Sequence, residues 1–115
     1  MRKFFDEQLK VCSRIGISCE RIGEDSIIGL GRNIGTASMP INGLRHPPTG
    51  RSSGWYIWAG KYSDAEDYFE PVHVRHLLEK YPFVLAYLGL PPGWRFQIDD
   101  KGYEDVWEDE ELLDV

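Results

Sequence analysis

The sequence predicts an α+β domain: a small mixed or antiparallel sheet with an N-terminal helix and a central helix packed against it. Three observations carry that prediction. Apolar residues recur at helical spacing between Arg2 and Ile15. Two segments read as strands, the aromatic Gly54-Trp55-Tyr56-Ile57-Trp58-Ala59-Gly60 and the alternating Trp94-Arg95-Phe96-Gln97-Ile98. Between them, Val74, Leu77, Leu78 and Tyr81 form an apolar stripe behind Pro71, which suits the first position of a helix.

The chain has 115 residues, which on size alone is one domain spanning 1–115. Such a domain buries roughly two-thirds of its unfolded surface, enough for one core without staples. Hydrophobic content of 42% and aromatic content of 13% exclude a disordered chain. No apolar run approaches the ~18 residues of a membrane span. The N-terminus, Met1 to Glu7, lacks the apolar run and cleavage site of a signal peptide. A cytoplasmic location is expected. Cys12 and Cys19 suit that compartment as free thiols, with Cys12 on the buried face of the first helix. Their nearness in sequence leaves a disulfide open in principle. No CxxC pair offers zinc a cysteine site.

In chain order, Phe5, Leu9, Cys12 and Ile15 make the apolar stripe of the first helix, and Gly16 stops it. Ile17 to Glu24 is a mixed connection. Ile27 to Gly31 reads as a strand whose glycines mark a bulge or a close approach of backbones. Gly29 to Gly35 departs from the GxGxxG spacing, so the loop is a strand and turn and not a phosphate site. Asn42-Gly43 is a turn signal. Arg45, His46 and Arg51 belong to a solvated surface loop that leads into the aromatic strand.

In that strand Trp55, Ile57 and Ala59 share one face, Tyr56 and Trp58 the other. Both faces are apolar, so both are expected to be covered. Ser63 or Asp64 can cap a short helical turn. The central helix should run from Pro71 to about Tyr81, where Pro82 ends it. Phe83 to Leu88 is compatible with a further turn or two. In the strand at 94–98, Trp94, Phe96 and Ile98 point one way and Arg95 and Gln97 the other. Tyr103 to Trp107 pairs back on it as a hairpin.

Candidate chemistry is sparse. On a helix, His73 and His76 would share a face with Glu70 one turn earlier, a conceivable metal set. The spacing is not HExxH, and Arg75 would oppose a cation. No serine stands in a GxSxG context. The carboxylates lie on exposed segments, where nothing separates their pKa values. The expectation is a protein that is not an enzyme, with no catalytic residues, no metal and no cofactor.

Charge is uneven. Residues 1–53 hold 8 Lys/Arg and 5 Asp/Glu, a net of +3, whereas residues 54–115 hold 5 and 14, a net of −9, summing to −6. Residues 99–115 alone carry 9 acids and one lysine. Such a field repels nucleic acid and attracts a basic partner.

Four segments carry a family resemblance: Ile41-Asn42-Gly43-Leu44-Arg45-His46-Pro47-Pro48, Gly54 to Gly60, Leu88-Gly89-Leu90-Pro91-Pro92-Gly93-Trp94-Arg95-Phe96, and Gly102-Tyr103-Glu104-Asp105-Val106-Trp107. Together they resemble the immunity protein 33 family of small bacterial domains, over most of the chain from about Ile27 onward. The segments at 54–60 and 90–96 are specific in combination, and neither is a catalytic signature. The resemblance implies an α+β domain that protects its host by binding a toxin of a polymorphic or contact-dependent secretion system.

The expected function is therefore a toxin-neutralising immunity protein that binds and occludes a cognate toxin, without nucleic acid or membrane partners. The expected toxin is basic. Candidate anchors are Tyr56, Trp58, Tyr103 and Trp107, because aromatic rings dominate interface hot spots. Candidate steering acids are Asp64, Glu66, Asp67, Glu104, Asp105, Glu108 and Asp109. The alternative is a small-ligand or regulatory binding module without catalysis, using a pocket between the aromatic strand and the His73 helix.

Overall fold

The computed structural model describes residues 2–35 and 38–114. Its frame is one mixed sheet of six strands: β1 (Ile27–Gly31), β2 (Ile41–Arg45), β3 (Ser52–Ala59), β4 (Phe69–His73), β5 (Trp94–Ile98) and β6 (Glu104–Glu108). Their order across the sheet is β4-β1-β3-β2-β5-β6. β1 runs parallel to β3, and every other pairing is antiparallel. The class is α+β as expected, but the sheet is not small.

The helices are α1 (Arg2–Ile15) and α2 (Arg75–Lys80), with 3-10 segments at Pro82–Tyr87 and Glu110–Leu113. Gly16 ends α1 in the left-handed region at φ +87, and Gly16 and Ile17 both donate to the Cys12 carbonyl. The buried face of α1 is not quite the expected stripe. Leu9 is exposed, while Gln8 is completely buried. Its amide donates to the carbonyls of Ile22 (3.4 Å) and Leu85 (3.2 Å) and accepts from the Ile22 amide, so the burial leaves no polar group stranded. The free thiol of Cys12 donates to Gly89 O at 3.4 Å. Burial, and then the neighbouring Cys19, push that thiol up to about 12.

α1, α2 and the 3-10 segment at 82–87 contribute to one core on one side of the sheet. Val11 and Cys12 of α1, Leu77 of α2, and Val84, Leu85 and Leu88 pack with Trp55, Ile57, Ala59, Phe96 and Ile98. Trp55 is fully buried, its indole N–H donating to Leu88 O at 2.9 Å. β3 thus faces as the alternation predicts. Its second face is not roofed by a helix.

Three further expectations are corrected. The central helix begins at Arg75, not Pro71. Pro71 lies inside β4, an edge strand, where the missing N–H costs no ladder bond on the outer side. His73 is therefore in a strand. Glu70 and His73, three apart, point to opposite faces there, which removes the shared helical face of the metal reading. Asn42-Gly43 is not a turn but the middle of β2. A Cβ on Gly43 would run into the Phe96 ring, so the glycine makes room for a core aromatic. Arg45 is not a solvated loop residue. It is 3% exposed and donates to the carbonyls of Ser53 (3.0 Å), Glu20 (3.0 Å) and Leu90 (2.8 Å).

Burial separates two tryptophans that sequence treats alike. Trp55→Ala should destabilise the fold by about 3–5 kcal/mol, the range for a fully buried large aromatic. Trp94 only half-joins the core, and Trp94→Ala should cost clearly less. Urea denaturation of both variants checks the order. Equal costs would contradict this assignment of faces.

Candidate functional site

The face of the sheet opposite the helices is the candidate site. Register places two rows of side chains across it. One row runs Pro71, Gly29, Tyr56, Leu44, Arg95, Trp107, and the next runs Phe69, Gly31, Trp58, Asn42, Gln97, Asp105. The β1 positions in both rows are glycines. A Cβ on Gly29 would lie 2.7 Å from the Tyr56 ring, and one on Gly31 2.8 Å from Trp58 Cβ. The two glycines let the β3 rings lie down over β1, so the face is hollowed there and not filled.

Aromatic rings wall this hollow. Tyr56 meets His46 edge-on at 5.6 Å and Phe69 at 5.2 Å, and Trp58 meets Tyr62 at 5.2 Å. Edge-to-face pairs of this kind add about 0.5–1.5 kcal/mol each beyond burial, which keeps the rings in register. His46 is fixed from behind by Leu112 O, 2.9 Å from Nδ1. Three adjoining depressions of about 350, 200 and 260 Å³ share Tyr56 in their walls.

The connection at 60–68 forms one margin. It has no capped helical turn; Ser63 Oγ instead accepts from the Ala65 amide. β1 and the turn after it pin this connection. Arg32 Nε donates to the Asp67 carbonyl, the Arg32 amide to Tyr68 O (2.9 Å), and Tyr68 Oη to Asn33 Oδ1. Burial raises the Tyr68 phenol, which keeps it protonated as that donor. Asp64, Glu66 and Asp67 stand exposed on the connection.

The expected site residues divide between two places. Tyr56 lines the hollow, with Trp58 buried beneath Tyr62 and Phe69 as its support, and Asp64, Glu66 and Asp67 are exposed on the connection that carries Tyr62. Asp105 and Trp107 lie on the same face at its far margin, where the Arg95 guanidinium stands 5.6 Å from the Trp107 ring. Tyr103 is exposed near them and donates to Gln97 Oε1 at 2.8 Å. Glu104 and Glu108 pair with Ile98 and Trp94 and so belong to the helix side. Glu104 accepts from Arg14 of α1 at 2.6 Å and from the Tyr87 phenol. Asp109 caps the last 3-10 segment and pairs with Arg95 at 3.2 Å.

Sequence reasoning missed His46, Tyr62 and Phe69. The glycine pair of β1 opposite Tyr56 and Trp58 was the available signal, but the neighbour of a glycine strand is not visible before the strand order is known.

The Glu104 pair has a pH signature. The hydrogen bond from Arg14 holds the Glu104 carboxyl below its ordinary value; burial opposes it, and the hydrogen bond from Tyr87 adds to the lowering. The charged form is favoured by folding. The contribution is therefore present above the unfolded carboxyl value of about 4.3 and is lost as pH falls through the lowered folded value. Glu104→Gln should cost about 0.2–1 kcal/mol near neutral pH, the exposed-pair range. The difference from wild type should close in acid. A difference in denaturation midpoint that stays constant down to low pH would contradict it.

Among the described residues no helix is long and apolar enough to cross a membrane. No curated protein and no solved structure matches the chain. The sequence profile of the Imm33-like domain matches residues 7–109, nearly the whole chain and well upstream of the segments that carry the resemblance. With that span, the chain belongs to the Imm33-like domain family.

Proposed function

We propose that this protein neutralises a cognate bacterial toxin by binding it and covering its active site, in the cytoplasm and without catalysis of its own. Membership of an immunity-protein family supports the role. The observation that carries the surface is the open face of the sheet, walled by rings and bordered by unpaired acids. Tyr56 supplies the central anchor, with Trp58 as its support. Asp64, Glu66 and Asp67 steer at one margin. Asp105, Tyr103 and Trp107 contact the partner at the other. Glu104, Glu108 and Asp109 act through the field of the acidic C-terminal segment, which favours a basic toxin.

The test begins with capture of the partner from the native host and its identification by mass spectrometry. Producing the captured toxin should arrest cell growth, and co-producing this chain should restore it. The association rate should fall steeply with added salt. Tyr56→Ala combined with Trp107→Ala should weaken binding by roughly thirtyfold or more, the threshold for hot-spot residues, mainly through faster dissociation. Failure to restore growth, or an on-rate indifferent to salt, contradicts the reading.

A further inference from the structure

Resting on that reading, we propose that the hollow around Tyr56 seats a lysine or arginine side chain of the toxin, its stem along the rings and its charged head toward Asp64, Glu66 and Asp67. Size is the first argument. The depressions, at about 350, 200 and 260 Å³, lie at or below the lower end of the roughly 300–1,000 Å³ of small-molecule pockets, and they open to solvent. They suit one long side chain better than an enclosed ligand.

Chemistry is the second argument. The walls of the depression beside Tyr62 are Tyr56, Tyr62, Phe69, Leu44 and His46, rings and an aliphatic side chain without a permanent charge. The negative face of an aromatic ring attracts a cation, and tyrosine serves this well. This protein uses its own guanidinium groups that way elsewhere: Arg21 on Phe5, Arg45 on Trp55 and Arg95 on Trp107. Among the described residues, none sits on the rings of the hollow.

Charge supplies the third. Residues 61–67 hold Lys61 against Asp64, Glu66 and Asp67, a net of −2. Among the described residues, none of these three carboxylates joins an ion pair, whereas Glu70 nearby is matched by Arg32 at 3.4 Å. Lysine and arginine bury an aliphatic stem while the head stays in a polar setting. A hollow of rings, with exposed carboxylates on the connection that carries Tyr62, fits both ends of such a side chain. The end of this connection is tied to β1 and its turn, because Arg32 donates to the carbonyls of Asp67 and Tyr68 and the Tyr68 phenol to Asn33.

The probe is N-acetyl-argininamide, with N-acetyl-citrullinamide as the neutral control of the same shape, titrated into the labelled protein by NMR. Arginine should shift the amide signals of Tyr56, Tyr62 and Phe69. Citrulline should bind about tenfold more weakly or worse. Tyr62→Ala, at an exposed position that spares the fold, should weaken arginine binding several-fold, as should Asp64→Asn with Glu66→Gln and Asp67→Asn. Equal binding of the two probes, shifts confined to other surfaces, or no shift at the solubility limit of the probe overturns the proposal. The probe contains no toxin, so such a failure leaves the immunity reading standing. Failed growth rescue with intact probe binding would strike the immunity reading alone.

Discussion

Arg45 holds the covering layer to the sheet. A guanidinium cannot shed its charge, so burying it is tolerable only where its N–H groups find acceptors. Here the acceptors are the carbonyls of Ser53, Glu20 and Leu90, from β3, the connection after α1 and the turn before β5. The Trp55 ring lies 5.8 Å from the same group. Burial pulls the Arg45 pKa down, and nearby Glu20 opposes that loss. Removing the guanidinium would strand three carbonyls, each costing about 1–3 kcal/mol when buried without a partner. One side chain thus ties the connection after α1 and the turn before β5 to the sheet.

The open face follows from the one-sided core. With α1, α2 and the 3-10 segment committed to Trp55 and Ile57, the rings of Tyr56, Phe69 and Tyr62 must cover one another. Tyr56 meets Phe69 edge to face and Tyr62 meets Phe69 at a tilt, over two glycines that give them room. Hydrogen bonds from Arg32 to the backbone of the acidic connection, and from its Tyr68 to Asn33, then fix the end of that connection beside them. A surface already ordered before it meets a partner loses less conformational freedom on binding, and the saving appears as affinity.

Much of this was legible in the chain, for definite reasons. Period two put Trp55 and Ile57 on one face of their strand and Phe96 and Ile98 on one face of theirs, and helical spacing found α1 and its Gly16 stop. Pro71 misled because one residue type suits two settings, the first turn of a helix and an edge strand. Asn42-Gly43 misled because glycine serves turns and close approaches equally, and only the Phe96 ring across the sheet decides. Arg45 read as a loop residue and Gln8 lay outside the expected stripe of α1, since a buried polar group is recognisable only once its acceptors are assembled in three dimensions. The site was half-legible: Tyr56 and the acids at 64–67 stand out by type, whereas their meeting with His46 and Phe69 depends on strand order. Glu104 shows the opposite case, an acid in a conspicuous run whose strand phase turns it to the helix side and into a pair with Arg14.

The central claim is that partners meet the open face and not the helical one. Hydrogen exchange measured on the complex with the captured toxin tests it most directly. The account predicts new protection across residues 54–58 and 61–70, with α1 unchanged. Protection confined to α1 and the 3-10 segment at 82–87, with the Tyr56 hollow exchanging as in the free protein, would contradict it.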